Sequence, residues 1–200
     1  MLKFYLSLIA VTLLASGCAV NSIEQGSLES GIYQSSTQKF TIPVPDGAKI
    51  FDGTHALGEY VAVNSLPKPL EVRGVSYNRV ANVDEETSEL TKDNIIKSGY
   101  DFWRKGYAGI EVSTISSEWI ELDGRRVYFT VLEGQPAGLL VKPNTFYGTL
   151  NFLKDGYGYV VFERIRTEKM LIGAEGRPTG ADAELRKNSI LAFYRSIKFH

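Results

Sequence analysis

The chain is 200 residues long, with 44% apolar, 12% aromatic and 22% charged side chains. That balance belongs to a globular chain of one domain or at most two, and it excludes a disordered, collagen-like or coiled-coil polypeptide. Its 22 Lys and Arg against 23 Asp and Glu leave a net charge of -1, without the positive field that neutralising a phosphate backbone requires, so nucleic acid is not an expected partner.

The first segment reads as a targeting signal. Lys3 precedes a mostly apolar run over residues 4–14, and the small residues Ala15, Ser16 and Gly17 follow, which are the three zones of a secretory signal. Eleven residues rising about 1.5 Å each cover roughly half of a ~30 Å hydrocarbon core, too little for a stable membrane span. The stretch Leu14-Ala15-Ser16-Gly17-Cys18 resembles the lipobox of bacterial lipoproteins, with Ala15 where that family prefers Leu. The resemblance implies a signal peptide over residues 1–17, cleavage before Cys18 and diacylglycerol on its thiol. The alternative is an ordinary secretory signal with a chance cysteine, against which stands the fact that Cys18 is the single cysteine of the chain.

An acylated Cys18 implies two or three acyl chains, enough to pass from reversible to stable membrane anchoring. Ala19 follows the cysteine, rather than the Asp that retains lipoproteins at the inner membrane of enteric bacteria, which favours the outer membrane with the domain facing the periplasm. Loss of residues 1–17 removes Lys3, so 21 basic residues face 23 acidic ones over 183 residues and the mature charge is -2. No thiol is then left for a disulfide, a cysteine nucleophile or a thiolate metal site. Residues 18–31 form the lipidated N-terminus and a polar tether, whose 13 or so residues reach roughly 20 Å as a flexible coil. A first strand within that tether is the alternative. Residues 32–200 are expected to form a single domain.

Within it, residues 39–45 alternate, with Phe40, Ile42 and Val44 on one face and Pro43 and Pro45 restricting the strand to an edge or end. Asp46-Gly47 and Asp52-Gly53 read as turns, and residues 59–63 and 70–80 as strands. Residues 84–107 turn helical: Thr91 is the expected cap with Asp93 in the first turn, and Ile96, Tyr100, Trp103 and Tyr107 recur as a stripe. Two hairpins follow, residues 111–122 with 125–133 about Asp123-Gly124, and residues 145–153 with 157–166 about Lys154-Asp155-Gly156. Val160, Phe162 and Ile165 suggest one slip of face near the end of the last strand. Thr179 to Asp182 is a capping box opening a helix with Ala183, Lys187, Ile190, Leu191 and Tyr194 inward, and Ile197 and Phe199 suit a short terminal strand. The order predicts an α+β domain, helices packed on an antiparallel sheet.

The Phe40-Thr41-Ile42-Pro43 start and the ending over residues 190–199 resemble the PsbP-like superfamily, which includes small bacterial lipoproteins of the DcrB type. That resemblance implies an α/β/α sandwich around an antiparallel sheet and a non-enzymatic role through docking to other proteins, and it carries no functional residue onto this chain.

The residues themselves name no reaction. The two histidines are His55, on a Gly-flanked loop, and His200, the last residue; no G-x-S-x-G elbow, H-E-x-x-H, calcium loop or phosphate loop occurs. Asp84-Glu85-Glu86, the densest acidic cluster, reads as a helix approach favoured by the macrodipole. No metal, cofactor or catalytic residue is expected. Phe102 and Trp103 cannot both be centred on one buried stripe, so Phe102, Trp103, Arg104 and Tyr107 form a candidate partner-docking patch, with core packing as the alternative. The expectation is a lipid-anchored envelope protein acting without catalysis as a binding or assembly factor for another envelope protein. An envelope hydrolase with an unidentified site and a module for a small apolar ligand or lipid are the alternatives.

Overall fold

The structure, a computed structural model, describes residues 25–55, 58–64, 71–81, 83–84, 86–105, 110–136, 143–170 and 180–200. Strands β1 (Ser27–Glu29), β2 (Ile32–Gln34), β3 (Phe40–Pro43), β4 (Lys49–His55), β5 (Gly58–Asn64) and β6 (Glu71–Arg79) lead to helix α1 (Glu89–Lys105). Strands β7 (Ile110–Leu122), β8 (Arg125–Pro136), β9 (Pro143–Lys154) and β10 (Tyr157–Met170) follow, then helix α2 (Gly180–Ser196) and strand β11 (Lys198–Phe199). The strands form a seven-stranded sheet in the order β4-β5-β6-β10-β9-β8-β7 and a four-stranded sheet in the order β1-β2-β3-β11. Every pairing described is antiparallel. The protein is α+β.

Side-chain alternation explains the layering. On β8, Val127, Phe129 and Val131 face one way, into a core shared with Leu150, Phe152, Tyr159 and Val161 of the large sheet, Tyr33, Phe40 and Ile42 of the small one, and Ile190, Phe193 and Tyr194 of α2. On the other parity, Tyr128 and Leu132 meet Tyr147 and Tyr100 of α1. The two helices therefore lie on opposite faces of the large sheet, α2 and the small sheet on one side and α1 on the other. Helix α2 packs closely over Gly148 of β9, where a Cβ would stand in ordinary van der Waals contact with Ile190.

Both hairpin corners are two-residue turns with positive φ throughout, 51° and 72° at Asp123 and Gly124, and 50° and 75° at Asp155 and Gly156. That is the type I′ geometry, whose twist matches the strands it joins. The terminal strand also forms as expected, Lys198 and Phe199 pairing with Thr41 and Phe40.

Six local expectations are corrected. The strand starting at Phe40 is not an edge: β3 lies between β2 and β11, and Pro43 is tolerated because β11 pairs only with Phe40 and Thr41, leaving the Pro43 end open on that side. Asp52-Gly53 is not a turn but the middle of β4, where the missing Cβ of Gly53 admits the Tyr60 ring, 2.9 Å from where that atom would be. Asp46-Gly47 does turn, with Ala48 N–H bonded to Pro45 O at 3.1 Å. The cap of α1 is Ser88 rather than Thr91: Ser88 Oγ accepts from Thr91 N–H at 3.3 Å, so the helix starts three residues earlier. The slip expected about Val160 and Phe162 does not occur, since β10 runs in regular register from Tyr157 to Ile165 and shifts only between Arg166 and Met170. As an inner strand covered on both faces, β10 carries apolar residues at both parities. Lys187 is not an inner residue of α2, its Nζ donating to Glu118 Oε1 at 2.6 Å; Phe193 and Ile197 take the inner places. Finally, the end of the expected tether is ordered: Ser27–Glu29 pairs with Ile32–Gln34 as β1.

Candidate functional site

Three carboxylates, two of them buried and Asp52 half-buried, have the residue type of catalytic groups. Glu59, 1% exposed, accepts from Ser36 N–H at 2.9 Å, Ser36 Oγ at 3.1 Å, Thr37 Oγ1 at 2.8 Å and Tyr77 OH at 3.3 Å. Glu163, equally buried, takes Arg73 Nε at 3.0 Å, Ser189 Oγ at 2.7 Å and Arg186 at 3.4 Å. Asp52 Oδ2 holds Gly26 N–H at 3.0 Å and Tyr33 OH at 2.6 Å. Each carboxylate ties one element to the large sheet: the turn before β3, helix α2 and the start of β1. Their lone pairs are spent on that architecture, as a buried carboxylate requires. On the α1 side, Thr130 and Thr149 share a 2.7 Å hydrogen bond across β8 and β9, and Asn151 donates to Thr149 Oγ1 at 2.8 Å and Tyr128 O at 3.1 Å.

Buried tyrosines surround the first network. Desolvation pushes the Tyr77 hydroxyl up to about 12, with the Glu59 charge adding to the effect, and raises Tyr33 and Tyr159 further. These phenols stay protonated and donate. They have no basic role to play near neutral pH.

An open cleft of about 500 Å³ lies where the two Asp-Gly corners meet the start of α1. Its lining alternates in charge: Asp84, Glu89, Asp93 and Asp155 against Lys92, Arg125, Arg126 and Lys154. Arg126 pairs with Asp93 at 3.1 Å, and Lys154 pairs with its neighbour Asp155, whose carboxyl that bond holds below the ordinary range. Arg125 lies over the Phe152 ring at 5.5 Å, and one of its terminal nitrogens and Asp93 Oδ1 are buried without a hydrogen-bond partner. The sequence does not mark these residues as one site: Asp84, Asp93, Lys154 and Asp155 read there only as parts of a helix approach, a helix turn and a hairpin corner. The available signal was a base beside each Asp-Gly corner, Arg125-Arg126 after the first and Lys154 before the second.

Of the residues singled out in the sequence, Cys18 and Tyr107 lie outside the described residues, and so do the side chains of Phe102, Trp103 and Arg104, whose backbone closes α1. His55 ends β4, its side chain likewise outside them, and the backbone N–H of His200 bonds to Lys39 O at 2.9 Å. Asp84 caps a turn with Thr87, its N–H reaching Thr87 Oγ1 at 3.0 Å. Among the described residues no group of three His, Cys, Asp or Glu side chains converges as a metal site, and no helix is long and apolar enough to cross a membrane. Trp119 packs beside Tyr128, ring centroids 5.0 Å apart, with Arg126 over it at 4.7 Å.

No family model and no curated protein matches the chain. Among solved structures it is similar to the solution structure of cyanobacterial PsbP (CyanoP) from Synechocystis, at 14% identity and a TM-score of 0.48, covering 92% of this chain and 98% of that one. That likeness transfers no residue and no role to this chain.

Proposed function

We propose that this is a lipid-anchored protein of the bacterial cell envelope, held by acylated Cys18 on the periplasmic side, favouring the outer membrane, and acting without catalysis as a binding or assembly factor for another envelope protein. The observation that carries the docking role is the cleft at the Asp-Gly corners. Its mixed charges suit a polar protein segment bearing both signs of charge. The carboxylates of Glu59, Glu163 and Asp52 support the non-catalytic part, since all three are bound up in holding elements together. The patch expected at Phe102, Trp103, Arg104 and Tyr107 is a second surface through which a partner could be held.

The test has two arms. Intact-mass analysis of the membrane-extracted protein is expected to show the acyl mass on Cys18, and Cys18→Ala to release a still-folded domain. Cross-linked membranes are then expected to yield one envelope protein that rebinds the purified domain, with binding lost in Arg125→Glu. An unmodified Cys18 overturns the anchor, and no rebinding partner overturns the docking role.

A further inference from the structure

We propose that the β4–β5 edge of the large sheet rests on the membrane surface, with Phe51 and Tyr60 in the headgroup layer. This rests on the acylation of Cys18 put forward above. Strand alternation and register put Lys49 and Phe51 of β4 and Tyr60 of β5 on the face of the sheet turned away from the main core. Phe51 is 53% and Tyr60 46% exposed, while α1 sits over β9 and β10 on that same side. Two half-exposed aromatics on neighbouring strands form a continuous apolar spot, the Tyr60 ring lying flat over Gly53.

Charge selects a lipid surface for this spot. Along β4, β5 and β6 the described residues of this face include no carboxylate and one base, Lys49, whereas the opposite face of the same strands carries Asp52, Glu59 and Glu71. In a chain whose acids outnumber its bases once residues 1–17 are gone, an acid-free face with an aromatic pair and a lysine is the composition of a membrane interface.

Chain length supplies the second argument. The N–H of Gly26 is bonded to Asp52 Oδ2 at 3.0 Å, so the backbone is fastened to the edge strand β4 one residue from Phe51, on the opposite face of that strand. Eight residues separate Cys18 from Gly26, and whatever their conformation they span at most about 29 Å, or about 16 Å at coil dimensions. An acyl chain on Cys18 therefore holds β4 near the headgroups, together with the start of β1. A spot too small to bind a bilayer alone is enough to orient a domain already tethered to it.

The test uses the lipidated chain reconstituted in vesicles of phosphatidylethanolamine and phosphatidylglycerol. With Cys18 acylated, a thiol introduced by Phe51→Cys takes a fluorophore at that place only; Lys49→Cys, on the same face, serves if the first variant does not fold. Leu185→Cys, exposed on α2, is the reference. Spin-labelled headgroup lipid is expected to quench the label at 51 or 49 at least about twofold more than at 185. Equal quenching, with flotation and acyl mass intact, overturns this inference and leaves the anchor standing. Loss of acyl mass and flotation overturns both. Protection in native membranes but not in protein-free vesicles assigns the face to a protein partner and overturns the lipid assignment.

Discussion

Arg73 and Glu163 stand directly opposite one another across β6 and β10, Nε to Oε2 at 3.0 Å, and the same carboxylate oxygen accepts from Ser189 of α2 at 2.7 Å. One buried side chain thus joins two strands and a helix. Arg73 also pairs with Glu71 at 2.5 Å, so removing Glu163 strands Ser189 and Arg186 more than it strands Arg73. Glu163→Ala is expected to cost about 2–4 kcal/mol in urea unfolding, and Glu163→Gln clearly less, because the amide oxygen still accepts from Ser189.

Glu59 does the same work for the turn between β2 and β3. Glu59→Ala leaves Ser36 N–H, Thr37 Oγ1 and Tyr77 OH short of an acceptor in a buried place. We expect a loss of about 3 kcal/mol, and amide exchange at Ser36 that speeds up more than exchange in β9. Uniform acceleration at both places would mean that Glu59 supports the whole domain rather than this turn.

Glycine supplies a third test, because two positions require it for different reasons. Gly124 needs its left-handed φ of 72°, with nothing near a Cβ, so Gly124→Ala is expected to cost about 1 kcal/mol and leave the fold unchanged. At Gly74 a Cβ would meet Val61 O at 2.2 Å and the Phe162 ring at 2.5 Å, contacts on either side of β6 that cannot both yield. Gly74→Ala is expected to cost about 2–3 kcal/mol or more. Thermal unfolding of the two variants side by side checks the order.

The tyrosines set the alkaline limit. Burial pushes Tyr77 and Tyr194 up to about 12 in the folded chain, and raises Tyr33 and Tyr159 beyond that, while an unfolded tyrosine ionises near 10. Above that value the unfolded state holds fewer protons than the folded one, so stability falls as pH rises. The contribution is complete below about pH 10 and is lost between about 10 and 12 for Tyr77 and Tyr194. Urea midpoints across that window are expected to drop steeply, and to drop less in Tyr77→Phe. A flat profile would contradict the burial.

Some of this was legible in the chain itself. The hairpin corners, the helical stripe through Ile96 and Tyr100, the strand starting at Phe40 and the α+β order follow from local rules: Asp-Gly satisfies paired positive φ, and apolar spacing reports the side on which a core must lie. The resemblance of the stretch ending at Cys18 to a lipobox rests on the sequence alone and belongs to the proposed function. What it could not state is where distant residues meet. Asp52-Gly53 has the local composition of a turn, yet lies within β4 because pairing with β5 and the Tyr60 ring over Gly53 outweigh the local preference. Ser88 and Thr91 are both cap-forming residue types three positions apart, and it is Ser88 whose Oγ accepts from a backbone N–H, that of Thr91 at 3.3 Å. The charged cleft and the acid-free face at Phe51 and Tyr60 exist only through sheet order, which brings two hairpin corners to one end and sorts each strand's residues to opposite sides. Local sequence sets the elements; which of their side chains become neighbours is decided by long-range pairing.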